Sequence, residues 1–466
     1  MRRWTLAKIL RAPRGFVGRP AILGLLLTMS LPAIMAQLSA TMMSYIDAAM
    51  VGSLGAEASA SVGLVEATIW LSGGLIVAAG VGFSIQAAQK IGARDHKAAR
   101  AIFHQALLAG GTFSVLLLAI MILISRPLPH WLGAPADIAP LASGYFLAYM
   151  LSLPFFQLRY IGAAMLQATG NMRTPGLIAV FICLLDVFWN YLFIYPAHSV
   201  ELAGWTLTIP GAGLGVVGAG IGTTLAEVCG ALLMLRIVLR HSEILHTRPG
   251  EPWRLTRPVV GRAIRLAVPV GLQGAVLTGA LIAVTMIIAP LGAASIAANS
   301  FATTVEGFCY MAGFGLSIAV SPIVGQCLGA RRPDLIRTFS HCAVYSGMVV
   351  MGILAIALYL MAPHIMTMLT PDAEVRRLAT AALRVELYAE PLFAAAIISS
   401  GALNGLGDTM GPSVISAVCV WGLRLPLSLL VAADYGVVGI WAVMCGELSV
   451  RGLIMYGRLA HRTRRL

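Results

Sequence analysis

Apolar runs of 18 or more residues recur along nearly the whole chain, as in Ile22 to Tyr45, Ala106 to Ile124 and Cys342 to Ala362. A run of that length is what a helix needs to cross the hydrocarbon core of a bilayer. Within lipid a backbone must satisfy its own hydrogen bonds, so each run reads as a helix and the chain as an all-α membrane protein. Composition agrees: of 466 residues, 59% are hydrophobic and only 11% are charged, against about 25% charged in an ordinary soluble domain. The net charge of +13 is not a nucleic-acid signal, because the positive residues sit in short runs between apolar spans, a pattern that reports topology. The expected partners are therefore the lipid bilayer and small molecules, with no nucleic acid.

Gly, Pro and charge clusters divide the apolar sequence into twelve spans, near 21–50, 57–88, 100–125, 138–166, 174–195, 213–239, 260–290, 293–326, 337–362, 375–404, 411–432 and 436–459. Alternate loops differ in charge. One set carries Lys90, Arg94, Lys97, Arg100, Arg173, Arg240, Arg248, Arg254, Arg257, Arg331, Arg332 and Arg337, and the other mainly Arg126, Arg376 and Arg377. The basic side is cytoplasmic by the positive-inside rule, and the C-terminal Arg462, Arg464 and Arg465 lie on it too. Both termini are then cytoplasmic, which requires an even number of spans. The basic N-terminus, with Arg2, Arg3, Lys8, Arg11, Arg14 and Arg19, resembles the start of a signal peptide, but the apolar span that follows is too long for one and reads as a retained first helix. Seven cysteines without a CxxC pair, nearly all inside apolar spans, give neither a disulfide framework nor a zinc site.

Sliding the chain against itself by 237 residues exposes an internal repeat. Pro32 meets Pro269, Leu54-Gly55-Ala56 meets Leu291-Gly292-Ala293, and Gly92-Ala93-Arg94 meets Gly329-Ala330-Arg331. Pro154 meets Pro391, Gly170 meets Gly407, and Pro175 meets Pro412. Beyond Pro412 the offset drops to 221, where Gly215-Val-Val-Gly218 meets Gly436-Val-Val-Gly439, which places an insertion in the turn-rich segment around Pro196 to Pro210. Six spans per copy is an even number, so the copies are parallel and related by a pseudo-twofold axis along the membrane normal. The expected organisation is a six-helix lobe over 1–239, a cytoplasmic linker over 240–259 and a second six-helix lobe over 260–466. Halves of this kind frame a central cavity and rock about it. Pro32 and Pro269 fall inside the first helix of each copy, where each removes a backbone hydrogen bond and invites a kink.

An ionisable side chain at the centre of a membrane helix costs about 2.5–3.5 kcal/mol on insertion scales, so each one asks for a reason. The acids in question are Asp47, Glu66, Asp186, Glu227, Glu306, Glu386, Glu390 and Glu447. Pairing with Arg159, Arg384, Arg424 or Arg451 is the ordinary explanation for any one of them. Asp47 stands out, lying about 38 Å along its helix from Ile22 in the otherwise apolar stretch Tyr45 to Gly52, where a wet cavity is the natural destination for its carboxylate. Asp186 and Asn190 are four residues apart, share one helix face and together could hold a cation or proton. Glu306, in a helix of small residues, and its approximate counterpart Glu66 are candidate cavity residues, as is Gln273, close after Pro269. The 21 methionines suit either a forgiving apolar pocket or plain packing.

No GxxxxGK[ST], HExxH or strand-borne GxSxG motif is present. With no nucleotide-driven motor and no facing set of nucleophile, metal and acid-base groups, neither an ATPase nor an enzyme is expected, and no cofactor. Energy must come from a proton or sodium gradient.

Several motifs then coincide. Pro32 is followed by Asp47-Ala-Ala-Met-Val-Gly52-Ser-Leu-Gly55, and Gly401-Ala-Leu-Asn-Gly-Leu-Gly407-Asp408-Thr has a first-half twin in Gln167-Ala-Thr-Gly170-Asn171-Met-Arg-Thr-Pro175. Gly315-Leu-Ser-Ile-Ala319 precedes Val324-Gly325-Gln326-Cys-Leu-Gly329-Ala330. Over essentially its full length the chain resembles the multidrug and toxic compound extrusion (MATE) family of bacterial type. The resemblance implies twelve helices in two lobes of a bacterial inner-membrane protein, acting as a monomer, that exports organic, often cationic, drug-like compounds against proton or sodium entry. It implies Asp47 as the coupling acid, with Asp186 and Asn190 beside it, the three together being the possible sodium ligands. Two departures follow. Many members carry Asn first and Asp four later on the fifth helix, whereas here Asp186 precedes Asn190. Some carry an acid on the seventh helix, where this chain has only Gln273, which favours proton coupling through the first lobe. A lipid-linked oligosaccharide flippase of the same superfamily is the alternative. It would need a cavity rich in Arg or Lys, whereas Asp47, Asp186 and Glu306 outnumber Arg159 and Arg424.

Overall fold

The computed structural model describes residues 5–13, 18–202 and 205–466; Arg2, Arg3 and Arg14 of the basic N-terminus lie outside them. A short helix α1 (Leu6–Arg11) precedes the first long helix, α2 (Arg19–Gly52), and α3 (Ala56–Gly92) and α4 (His96–Ile124) follow. After the single turn α5 (Leu128–Trp131), the fourth span is broken into α6 (Ile138–Met150) and α7 (Leu153–Ala168). Helix α8 (Arg173–Ile194) leads into an antiparallel hairpin, β1 (Pro196–Leu202) and β2 (Trp205–Ala212), before α9 (Gly215–His241) closes the first half. The second half runs α10 (Arg257–Ile288), α11 (Ala293–Gly329), α12 (Pro333–Leu369), the broken pair α13 (Ala373–Glu386) and α14 (Glu390–Gly405), then α15 (Met410–Cys419) and α16 (Leu425–Arg464). The last two are joined through a π-helical turn over Val420–Arg424.

Among the described residues, ten helical segments are long and apolar enough to cross a membrane. One of them, Met410–Arg464, is 55 residues long and is interrupted at Gly436, whose φ of 59° and ψ of −152° are not helical, so it supplies two spans. The remaining span is α13 with α14, which the hydropathy of the segment hides because Glu374, Arg376, Arg377, Arg384, Glu386 and Glu390 lie in it. Twelve spans result, as the apolar pattern requires. Large apolar side chains face outward along them, among them Leu123 at 80% and Leu430 at 72% exposed, and only lipid makes such exposure favourable. This is a multi-pass membrane protein.

The repeat is a repeat of backbone conformation. Left-handed φ values recur at the positions that the alignment pairs: Gly55 (117°) with Gly292 (96°), Arg94 (61°) with Arg331 (55°), Gly170 (91°) with Gly407 (83°), and Gly215 (58°) with Gly436 (59°). The broken spans match as well. Pro154 and Pro391 each sit in the first turn of the second segment, where the missing N–H leaves a carbonyl one turn back unpaired and the helix restarts. Pro32 and Pro269 lie inside the continuous helices α2 and α10. The expected insertion is the β-hairpin, an addition to an otherwise all-α fold.

Packing groups the chain into two compact units, one of Met1–Gln37, Ala88–Asp95 and Arg265–Leu466, the other of Leu38–Ala87 and His96–Ile264. In the second of these, Val65, Ile76, Phe146, Met150 and Ile194 form a buried core. The segment after α9 folds back on α4 there. Glu251 pairs with Arg100 at 2.7 Å, Trp253 stacks on His104 with centroids 4.2 Å apart, and Gln105 Oε1 accepts from the Thr256 amide and hydroxyl at 2.8 Å. In the other unit the ends of α3 and α11 cross backbone on backbone, Gly92 under the Gln326 carbonyl and Gly329 under that of Gln89, each leaving no room for a Cβ.

Candidate functional site: buried carboxyls in each half

Asp186 and Asn190 lie one turn apart on the face of α8 that packs on α9, and both are fully buried. Gly222 of α9 makes this possible, since a Cβ there would collide with the Asn190 amide oxygen. Asn190 Nδ2 donates to Asp47 Oδ1 at 2.7 Å and to Asp186 Oδ2 at 3.0 Å, which ties α2 to α8. The Asp47 and Asp186 carboxyls are within hydrogen-bonding reach of each other, and the Thr223 hydroxyl of α9 reaches Asp186. Asp47 is only half-buried, so it is the open member of the group, with Asp186 and Asn190 behind it. Among the described residues no guanidinium or ammonium group forms an ion pair with either aspartate. Among the described residues Asp186 Oδ1 and Asn190 Oδ1 have no hydrogen-bond partner, two buried acceptors that a proton or a small cation would satisfy. Tyr145 and Tyr149 of α6 lie close enough to feel the aspartate charges. Helix α6 is held to α9 by Thr224 Oγ1 donating to the Ala148 carbonyl at 2.7 Å.

Glu227, on α9, is instead neutralised: Arg159 grips it with two bonds of 2.6 and 2.9 Å while lying over the Phe156 ring at 5.0 Å. Glu66 is exposed on α3 and accepts from Trp70 Nε1 at 3.3 Å.

In the second half Glu306 of α11 meets Glu386 and Glu390, with a carboxyl oxygen from each within 4.8 Å of the others, all three buried. The break between α13 and α14 builds this cluster, because it sets Glu386 at the end of one segment and Glu390 at the start of the next. Among the described residues, none of the four carboxyl oxygens of Glu386 and Glu390 has a hydrogen-bond partner. The Cys309 thiol lies beside Glu390 but donates to the Met351 carbonyl at 3.6 Å. Three carboxylates at that spacing cannot all be ionised without a proton or cation among them. Glu447 on α16 is paired twice, with Arg424 Nε at 3.0 Å and Arg451 Nε at 3.2 Å. Gln273 donates to Ser416 Oγ at 3.0 Å, joining α10 to α15. Glu66 and Glu306 belong to different compact units.

The sequence matches the MatE family over residues 32–192 and again over 269–430, and the two matches begin 237 residues apart, the offset of the repeat. The chain belongs to the MATE family. A probable multidrug resistance protein NorM of Chromobacterium violaceum is 26% identical, with 94% of this chain and 93% of the relative covered. Another of Thermotoga maritima is 21% identical over 93% and 91%. Among solved structures, the Vibrio cholerae MATE transporter VcmN in its bent form superposes with a TM-score of 0.86 at 20% identity, covering 96% of this chain and 98% of that one. The MATE fold of twelve helices in two six-helix lobes is thereby established for this chain.

In this MATE protein the motif residues of the first helix and the fifth-helix pair converge, while four participants carry no comparable signal. Gly222 and Thr223 sit in a helix of small residues where no single position is distinctive, and Tyr145 and Tyr149 read as ordinary aromatic packing. Glu386 and Glu390 did carry a signal, two acids one turn apart in a span and next to a proline, but their partner Glu306 is distant in sequence.

Proposed function

We propose that this protein is a secondary multidrug exporter that exchanges organic, predominantly cationic, compounds for protons at Asp47, Asp186 and Asn190. The observation that carries the reading is the contact of two aspartyl groups through Asn190 with no arginine among the described residues paired to either. Two carboxyls in hydrogen-bonding contact share a proton, because ionising both at that distance in a low-dielectric site is too costly. An organic cation approaching half-buried Asp47 supplies the missing charge and releases that proton; reprotonation expels the cation. The named relatives are multidrug resistance proteins, which supports the substrate class. Arg159 is neutralised by Glu227, and Arg424 and Arg451 share Glu447 close to three further acids, which leaves little free positive charge for the pyrophosphate of a lipid-linked sugar.

The protein sits in the bacterial inner membrane as a monomer, with lobes over 1–239 and 260–466 and a linker over 240–259. The arginine-rich loops and both termini face the cytoplasm. The test is efflux of cationic dyes from proteoliposomes under imposed proton or sodium gradients, wild type against Asp47→Asn. Proton-driven efflux lost in the variant is expected. Equal efflux by both proteins under both gradients overturns the assignment, and efflux driven by sodium alone moves the coupling ion from proton to sodium.

A further inference from the structure

The charges of the second half are distributed unevenly over neighbouring groups. Glu447 is one carboxylate held by two guanidinium groups, Arg424 and Arg451, while Glu306, Glu386 and Glu390 are three carboxyls with no ion pair among the described residues. Arg451 lies on the same helix as Glu447, four residues on, and is packed over the Phe393 ring at 5.5 Å. It neutralises Glu447 alone if Arg424 leaves. Of the two side chains Arg424 is the more exposed, 16% against 7%, and its charge acts on both Glu306 and Glu386. It also ends the π-helical turn Val420–Arg424. Such a turn holds one residue more than an α turn, and its relaxation swings a side chain by about 100°.

We propose that Arg424 is the resident cation of the glutamate cluster, a tethered guanidinium that leaves Glu447 for Glu306 and Glu386 when the cluster holds neither a proton nor a bound cation. The assignment rests on the reading of the chain as a cation-coupled exporter. Arg424 keeps the emptied cluster from standing as bare buried charge, and it is displaced when a proton or an organic cation enters. Among the described residues the other ionisable groups acting with the cluster are Cys309 on α11 and Cys445 on α16, with the Glu447–Arg451 pair also on α16; α12 contributes the Met351 carbonyl.

The direct test is the structure of the full-length protein, free of sodium and substrate, at about pH 5 and about pH 9, on either side of the range in which clustered carboxyls titrate. The Arg424 guanidinium is expected on Glu447 in acid and within hydrogen-bonding distance of Glu306 or Glu386 in base. Arg424 on Glu447 at both pH values overturns the proposal. The functional arm compares pH profiles of dye efflux. Arg424→Gln leaves Glu447 paired with Arg451 and so keeps the fold; it is expected to move the profile toward alkaline pH by about one unit, a tenfold change, and Arg424→Lys is expected to restore it. A profile unmoved in Arg424→Gln overturns the proposal, and a fall in melting temperature beside it makes Arg424 a structural clamp of Glu447. Should wild type move no dye under any gradient, the exporter reading fails, and the two structures still decide where Arg424 goes.

Discussion

In the first half a carboxylate of the last helix, Glu227, meets one arginine, and the charges cancel. In the second half Glu447, also on the last helix and one position out of the repeat register, meets two. The remaining acids differ in the opposite sense: Asp47 and Asp186 stand with Asn190 and Thr223 and, among the described residues, with no cation in an ion pair, whereas the three second-half glutamates stand near a surplus guanidinium. Two copies of one helical pattern therefore hold buried charge in different ways, one as two aspartates bridged by an amide, the other as three clustered glutamates and a fourth that is doubly paired. The fold fixes where helices break and cross, and the side chains on that frame decide how each half holds its buried charge.

The strongest way to break this comparison is to neutralise one acid in each half. Asp47→Asn is expected to reduce proton-driven dye efflux to background, and Glu386→Gln to leave a measurable rate, both read in proteoliposomes; the reverse order would exchange the roles of the halves. Next in size is stability. Glu227→Gln strands a partly buried Arg159 and should cost about 2–3 kcal/mol, seen as a fall in melting temperature in detergent. If the loss is small, Arg159 has another partner and the parity of the first half is illusory. Gly222→Ala drives a methyl group against Asn190 and should cost about 1–3 kcal/mol, with coupling impaired more than folding. Wild-type coupling in that variant would show that Asn190 need not bridge the aspartates. Smallest is Arg331→Gly, which relieves a left-handed non-glycine residue and should raise stability by about 1 kcal/mol, as should the same change at its twin Arg94.

Much of the fold was legible because its determinants are local. Apolar length announces a span, and paired prolines and glycines announce the repeat. The α13–α14 span is readable in the same way despite its charges, since its core positions Val375, Ala379 and Leu383 recur at helical spacing. The hairpin segment reads only as turn-rich, although Val200, Leu202, Trp205, Leu207 and Ile209 alternate at the period of a strand. In the site, Asp186 and Asn190 are visible as an i,i+4 pair, but their contact with Asp47 is set by the packing of α2, α8 and α9. The glutamate cluster escapes for the same reason: Glu306 and Glu386 are far apart in sequence, and only tertiary packing joins them.

Arg94 and Arg331 occupy the same left-handed bend in both copies, where glycine would fit with less strain. A backbone that twice accepts this discomfort keeps a cation at the spot for some purpose other than folding. If those loops face the cytoplasm as proposed, that purpose is orientation: the bend acts as a mooring that sets which way each six-helix bundle enters the bilayer. Replacing both arginines by glycine would then give a sturdier molecule that inserts less faithfully.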